Sequence, residues 1–254
     1  MIKTGIKHTD IIFIDIETAS VAHEIFHLSA TPSLAIAWNT IHESKYKDEL
    51  TDDGKDKLGP GSSFQKYAAL YPEFGKIVCI SLGHFKNESE FCVKAYYGNR
   101  DEKALLDEVS AELTKLSASK KYICGHNIKN FDIPFMIRRA VIVGTSLNTP
   151  FDIYGRKPWD IVEFIDTMDM WSAGAFNLGS RSLESMCAAF GMKNPKEEMH
   201  GNLVSTLFYM PGEEGLPKIG KYCNFDVISV SACYCKMTKG DFRFMKLAPT
   251  DNIY

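Results

Sequence analysis

Residues 11–16, IIFIDI, form a short β-branched apolar run that ends in acid, with Glu17 following at once. Such a run suits a strand buried on both faces at the centre of a sheet. Side chains two apart on a strand point to one face, so Asp15 and Glu17 project together from this apolar segment. Two carboxylates on one side of a buried strand are costly unless they are paired or hold a cation. Taken alone, the Asp-x-Glu pair reads either as a chance pairing or as half of a metal site.

The rest of the chain supplies a sheet around that strand. Residues 76–84 (KIVCISLGH) and 90–97 (EFCVKAYY) predict two more strands, with the turn formers of 83–89 between them as a hairpin. From 101 to 116, Leu105, Leu106, Val109, Leu113 and Leu116 recur at helical spacing after an acidic first turn. Residues 122–124 predict a short strand ending at Gly125, and a helix follows over 133–143, with Pro134 tolerated in its first turn. A fifth strand is expected over 164–168, a helix over 182–190 stopped at Gly191, and a long final helix over 218–237. A meander followed by strand–helix units predicts an α/β fold, a mixed sheet flanked by helices.

Residues 19–75 are long for a connection. They hold an amphipathic run at 34–46, the charged and Gly-rich DELTDDGKDKLGPGSS at 48–63, and a second short helix near 64–70. This stretch is read as a partly helical insertion within one domain spanning 1–254, either an ordinary surface excursion or a flap on the substrate side.

Composition narrows the class. The net charge of −3 gives no overall basic footprint, but an enzyme gripping one strand end needs only a local basic groove. The seven cysteines are odd in number and sit mostly in apolar runs, which fits reduced, buried thiols in a cytoplasmic protein. Cys233 and Cys235 are too closely spaced for a CxxC motif. The N-terminal residues lack an apolar stretch of signal-peptide length, and no apolar run approaches the roughly 20 residues of a membrane span.

Two further segments carry acid in informative places. In 125–132, GHNIKNFD, Asp132 follows a strand and precedes a helix, near the carboxyl ends of the strands where sites commonly form. Asp132 is equally readable as the N-cap of the helix that begins with Ile133-Pro134. On the final helix, Tyr222 and Asp226 are four apart and share the inward stripe of Ile219, Cys223, Val227, Val230 and Cys233. An aspartate on an inward stripe is unusual. Either the Tyr hydroxyl or a backbone amide satisfies it, or it faces a site.

Taken jointly, these motifs resemble the DEDD exonuclease superfamily. FIDIET at 13–18 is similar to its first motif, GHNIKNFDIPF at 125–135 to the second, and YCNFD at 222–226 to the third. The second is close to the form found in proofreading domains of family-B DNA polymerases. PEFGKIVCIS at 72–81 and DTMDMW at 166–171 look like the stand-alone predicted exonucleases related to that proofreading domain. Within the superfamily one branch has His five residues before the last Asp, where this chain has Lys221. The other branch has Tyr four residues before, which fits Tyr222.

The resemblance implies a ribonuclease H-like fold and a two-metal 3′–5′ exonuclease. It releases nucleoside 5′-monophosphates from a free 3′ end, with DNA favoured and single strands expected. Four converging carboxylates stay ionised together only beside divalent cations, and hard oxygen ligands select Mg²⁺ or Mn²⁺. By the resemblance, Asp15 bridges both ions, Glu17 and Asp226 complete the site of the ion that activates water, and Asp132 holds the second. Tyr222 orients the attacking water. Main-chain groups of Ile16 and Thr18 contact the terminal nucleotide, with Asn127 and Phe131 as further substrate contacts.

His126 is expected to hold a turn or orient its neighbours rather than act as an acid or base. Asp166 and Asp169 are expected to hold turns, with support of the metal shell by one of them as the alternative. Trp38, Tyr46 and Trp171 are expected in the core rather than stacked on bases. Lys120, Lys121, Arg138, Arg139, Arg156, Lys157 and Arg181 supply candidate phosphate contacts. Three other readings stay open: an exoribonuclease, a nucleic-acid-binding module without catalysis, and an interaction domain docked to a polymerase, helicase or repair partner. With no polymerase domain in the sequence, proofreading would act in trans.

Overall fold

A computed structural model of the protein describes residues 1–97, 101–148, 150–175, 179–193, 199, 201–212 and 214–248. Its sheet consists of β1 (Ile11–Ser20), β2 (Gly75–Phe85), β3 (Glu90–Tyr96), β4 (Tyr122–Gly125), β5 (Phe164–Asp166) and β6 (Lys246–Leu247). The strand order is β5-β4-β1-β2-β3-β6. β1 runs antiparallel to β2, and β2 to β3, while β1/β4, β4/β5 and β3/β6 are parallel. The mixed α/β sheet is the architecture expected from the sequence.

Eight α-helices accompany the sheet among the described residues. They are α1 (Pro32–Ile41), α2 (Pro60–Tyr67), α3 (Glu102–Ser117), α4 (Asp132–Val143), α5 (Thr167–Ser172), α6 (Leu183–Ala189), α7 (Val204–Tyr209) and α8 (Gly215–Lys239). None is long and apolar enough to cross a membrane.

Strand alternation sorts β1 between two cores. Ile12, Ile14 and Ile16 pack with Leu105, Leu106 and Val109 of α3 and with Ile133 and Met136 of α4. Ile11 and Phe13 face Val227, Val230 and Tyr234 of α8. Continuing that odd-numbered face, Ala19 packs with Ile219 and Cys223 of α8 and Val204 and Phe208 of α7. Asp15 and Glu17 fall between Phe13 and Ala19, so the two-residue period aims both acids at α8. Burial of the strand on both faces explains its unbroken apolar run.

The β1–β2 ladder slips beside the acids. Glu17 pairs with Cys79 but Thr18 pairs with Ile77, so Val78 is an extra residue on β2. As in other bulges, two consecutive side chains, Val78 and Cys79, then join the same core under α7 and α8.

The insertion has its own core. Trp38 is fully buried among Leu28, Phe64, Ala68 and Phe74, and its Nε1 donates to the Pro60 carbonyl at 3.1 Å. Tyr46 packs on Trp38 and Tyr67, so these two aromatics do serve a core rather than a stacking surface. Trp171 is partly exposed and edge-on to Phe190. A buried Glu102–Arg139 pair ties the insertion's end to the sheet: Glu102 also accepts from the Ile77 amide at 2.8 Å, and Arg139 donates to the Pro72 carbonyl at 2.8 Å.

Several boundaries move from their sequence expectations. β1 extends to Ser20, so the insertion begins at 21 rather than 19. The run at 34–46 is α1 plus a π-helical turn, His42–Tyr46, and the second helix begins at Pro60. The fifth strand stops at Asp166, whose carboxylate accepts from the Met168 amide and starts α5. The last helix starts three residues early because Pro217 sits in its first turn, where a missing N–H costs nothing. Neither α7 nor the two-residue β6 is expected from the chain's pattern, since both are too short to show a period. All seven cysteines are unbonded, and six are buried.

Candidate active site

The site begins where β4 leaves β1. The two strands pair from Ile11↔Tyr122 to Phe13↔Cys124, and β4 then ends at Gly125. A Cβ on Gly125 would stand 1.9 Å from Ile128 Cγ2 and 2.9 Å from the Ile14 carbonyl oxygen, so only glycine allows the departing chain to pass so close. Beyond this point the Ile16 amide has no strand partner on that side. Asp132 Oδ1 accepts from it at 3.1 Å.

The segment that delivers Asp132 is tightly wound. Asn127 is left-handed, with φ +62°, and its carbonyl accepts from the amides of Asn130 and Phe131 at 3.2 and 3.0 Å. Asp132 is the first residue of α4. The N-cap is Phe131, which offers no side-chain acceptor, so the capping role open in the sequence is not the one Asp132 takes.

Asp226 comes from the opposite side, buried on α8, one turn beyond Tyr222. The four acids thus meet from three segments: Asp15 and Glu17 from β1, Asp132 from α4, Asp226 from α8. Burial pushes the carboxyls of Asp15 and Glu17 well above the usual range, and Asp226 and their other acidic neighbours push them further. Asp132 is pushed up to about 7 by burial, against the amide of Ile16, which lowers it. Among the described residues no cationic side chain is one of the main influences on Asp15, Glu17 or Asp132.

That electrostatic debt is the test of whether cations fit. Asp15, Glu17 and Cys223 offer ligand atoms within 4.8 Å of one another. The carboxylate oxygens are hard donors suited to Mg²⁺ or Mn²⁺, and divalent charge is what a buried, mutually repelling acidic group lacks. The oxygens of Asp15 and Glu17 fit such an ion, while Asp132 and Asp226 stand outside this close group.

Tyr222 lies against these acids. Burial and the charges of Asp226, Glu17 and Asp15 drive its phenol far above its ordinary value, so it stays protonated and acts as a donor. With Leu203, Leu207, Lys218, Lys221 and Phe225 it lines a cavity of about 300 Å³.

Of the residues assigned to substrate, Ile16 is buried and its amide is committed to Asp132. The Thr18 hydroxyl donates to the Ala69 carbonyl at 2.8 Å, joining the strand to the insertion. Asn127 shapes the loop, and its Oδ1 accepts from Asn130 at 3.0 Å. Phe131 is half-buried with its ring 5.3 Å from Phe135. His126 is largely buried and bonded to the Thr167 hydroxyl at 3.0 Å. Three of the basic candidates hold the fold: Lys120 caps the carbonyls of Thr9 and Phe85, Arg139 pairs with Glu102, and Arg156 pairs with Glu163.

Sequence reasoning passed over Cys223. Its thiol lies 3.4 Å from both the Asp15 carboxylate and the Asp15 carbonyl. The signal was present, since Cys223 is on the inward stripe of α8 one turn before Asp226. It also passed over Asn224, which accepts from the Ser81 hydroxyl at 3.0 Å, directly across the ladder from Asp15.

A mixed sheet with acids midway along its central strand, at the start of α4 and midway along the final helix is of the polymerase-exonuclease, ribonuclease H-like class of fold. The solved family B DNA polymerase from the hyperthermophilic archaeon Pyrobaculum calidifontis superposes with a TM-score of 0.53 at 13% identity, over 89% of this chain and 24% of that one. The chain therefore spans about a quarter of that polymerase, and likeness at this identity speaks for the fold. The family model of predicted 3′–5′ exonucleases related to the exonuclease domain of PolB matches residues 68–248, and the chain belongs to that family. The match includes Asp132, Tyr222 and Asp226 and begins after β1, so Asp15 and Glu17 lie outside it. No curated protein matches the chain.

Proposed function

We propose that the protein hydrolyses the last phosphodiester of a DNA strand from its 3′ end, on single strands, releasing nucleoside 5′-monophosphates. The observation that carries this reading is the convergence of four acids, Glu17, Asp132 and Asp226 buried and Asp15 half-buried, that raise one another's carboxyls. Family membership supports the 3′–5′ direction, and the second motif supports DNA.

Two divalent cations, Mg²⁺ or Mn²⁺, would supply the positive charge that stabilises the attacking and leaving oxygens of an in-line displacement. Asp15 would help to hold both. Glu17 and Asp226 would hold the ion on the side of the attacking water, and Asp132 the other. Tyr222, a protonated donor, would orient that water by a hydrogen bond rather than take its proton. It also lines the cavity, which has the size and mixed lining of a small-ligand pocket and suits the terminal nucleoside. Phe131 and Asn127, both partly exposed, would line the strand's path, and main-chain atoms of Ile16 and Thr18 the terminal sugar. A cytoplasmic role in repair or proofreading is part of this proposal.

The test is digestion of matched DNA and RNA strands labelled at either end, with Mg²⁺, Mn²⁺ or EDTA. Stepwise shortening of 5′-labelled DNA with release of mononucleotides supports the reading. Faster loss of the RNA reassigns the substrate, and intact strands with every metal sink the nuclease reading.

A further inference from the structure

The acids do not exhaust the buried carboxylates near the site. Asp166, at the end of β5, is 1% exposed and outside the group that converges on Asp15. Its Oδ1 accepts from the amides of Asn127 at 2.8 Å and Met168 at 2.9 Å, and its Oδ2 from the amide of Lys129 at 3.2 Å. Capping α5 accounts for the Met168 bond alone. The other two reach across the sheet edge to the loop that delivers Asp132.

We infer that Asp166 is a positioning residue: it fixes the 126–131 loop and thereby sets where Asp132 stands and how tightly the cation at Asp132 is held. The inference rests on the metal-dependent reading above. Asp132 is held between two anchors, the Ile16 amide in front and the Asp166-bound loop behind. The loop turns at a left-handed Asn127, a conformation asparagine adopts more readily than most side chains, and the Asp166 bond falls on the amide of that turning residue. The neighbours of Asp166 add to the grip: the Thr167 hydroxyl meets His126 at 3.0 Å, and Asp169 pairs with Lys129 Nζ at 3.2 Å.

Asp166 is not itself a ligand in this arrangement. Both its oxygens are occupied by amides and its side chain is closed to solvent. Outer partners of this kind commonly change metal affinity by about 10- to 100-fold when removed.

The experiment uses the full chain and Mn²⁺ itself, titrated by electron paramagnetic resonance, so that the readout is binding rather than cleavage. The cation of interest is the one whose binding Asp132→Ala abolishes. Asp166→Asn keeps the size but replaces one acceptor with a donor. It is expected to weaken that cation by about tenfold, and any Mn²⁺ that Asp132→Ala leaves bound by less than about twofold. A second pair avoids Asp166: Lys129→Ala removes the ion pair to Asp169, and Lys129→Pro also removes the amide that Asp166 accepts. The proline variant should bind more weakly than the alanine variant by about threefold.

Equal weakening of all bound Mn²⁺ in Asp166→Asn, a lowered thermal midpoint with unchanged affinity, or indistinguishable Lys129 variants would each overturn the inference. So would a wild-type protein with no Asp132-dependent Mn²⁺. Strands left intact by a wild-type protein that binds Mn²⁺ as described would instead remove the nuclease reading and leave this positioning role standing.

Discussion

The amide of Ile16 donates to Asp132 Oδ1 at 3.1 Å, joining residues 116 apart in sequence at the point where β4 abandons β1. One acid therefore does two jobs: it completes the hydrogen bonding of the central strand and faces the other three carboxylates. Asp132→Asn can keep the first by presenting its amide oxygen. We expect Asp132→Asn to fold with a thermal midpoint close to wild type and to lose most Mg²⁺-dependent cleavage, while Asp132→Ala also loses about 1–3 kcal/mol of stability through the orphaned amide. Urea denaturation of the two variants checks the difference.

Removal of the metal should invert the usual effect of acid. Folded Asp132 keeps a proton up to about pH 7, whereas an unfolded aspartate loses it near pH 4, and Asp15 and Glu17 are raised in the same direction. Between those values the folded chain binds more protons, so stability is full below the unfolded value and is lost as pH rises through the folded one. In EDTA the thermal midpoint should fall from about pH 5 to about pH 8, and saturating Mg²⁺ should restore it at the higher pH by binding the folded form. A midpoint in EDTA that rises across this range would contradict the burial of these acids.

Asp15→Ala and Tyr222→Phe separate charge from orientation. Asp15→Ala should abolish cleavage with both metals. Tyr222→Phe removes only the phenolic donor and should slow turnover by about tenfold or more while leaving Mn²⁺ binding unchanged. Single-turnover kinetics beside a Mn²⁺ titration distinguishes the two.

The thiol of Cys223 touches Asp15 at 3.4 Å without being one of the expected catalytic groups. Cys223→Ala should lower kcat by about 2- to 10-fold, the worth of one modest hydrogen bond, with KM for the strand unchanged. A shift confined to KM would place Cys223 in strand binding instead.

Gly125→Ala tests the tight passage between β4 and the 126–131 loop. The added methyl meets Ile128 and the Ile14 carbonyl, and should cost about 1–3 kcal/mol as overpacking. Activity should fall with it, because the loop that shifts carries Asp132.

Much of this was legible in the chain. The run at 11–16 identified the central strand because burial on both faces leaves an uninterrupted apolar signature. Tyr222 and Asp226 were placed on an inward face by spacing alone. What escaped depends on contacts between distant segments. No pattern in 160–170 reveals that Asp166 reaches the amides of Asn127 and Lys129, since amides have no sequence identity. The continuation of β1 to Ser20 was hidden because its polar residues are covered by distant segments: Thr18 bonds the Ala69 carbonyl, and Ser20 bonds Ser205 and Tyr209 of α7, a helix too short to predict. Likewise Arg139 looked like a surface cation until Glu102 came within reach.

The slip between β1 and β2 bears on how such a chain can vary. The lobe between Ser20 and Gly75 packs about its own tryptophan, so residues can be gained or lost there while β1 keeps its register. Val78 has no such latitude. Deleting that one residue would restore the regular alternation with Ile77 still on its own face, and would leave one side chain instead of two in the core under α7 and α8. Length is therefore negotiable across some fifty residues of this protein and fixed at a single position beside its acids.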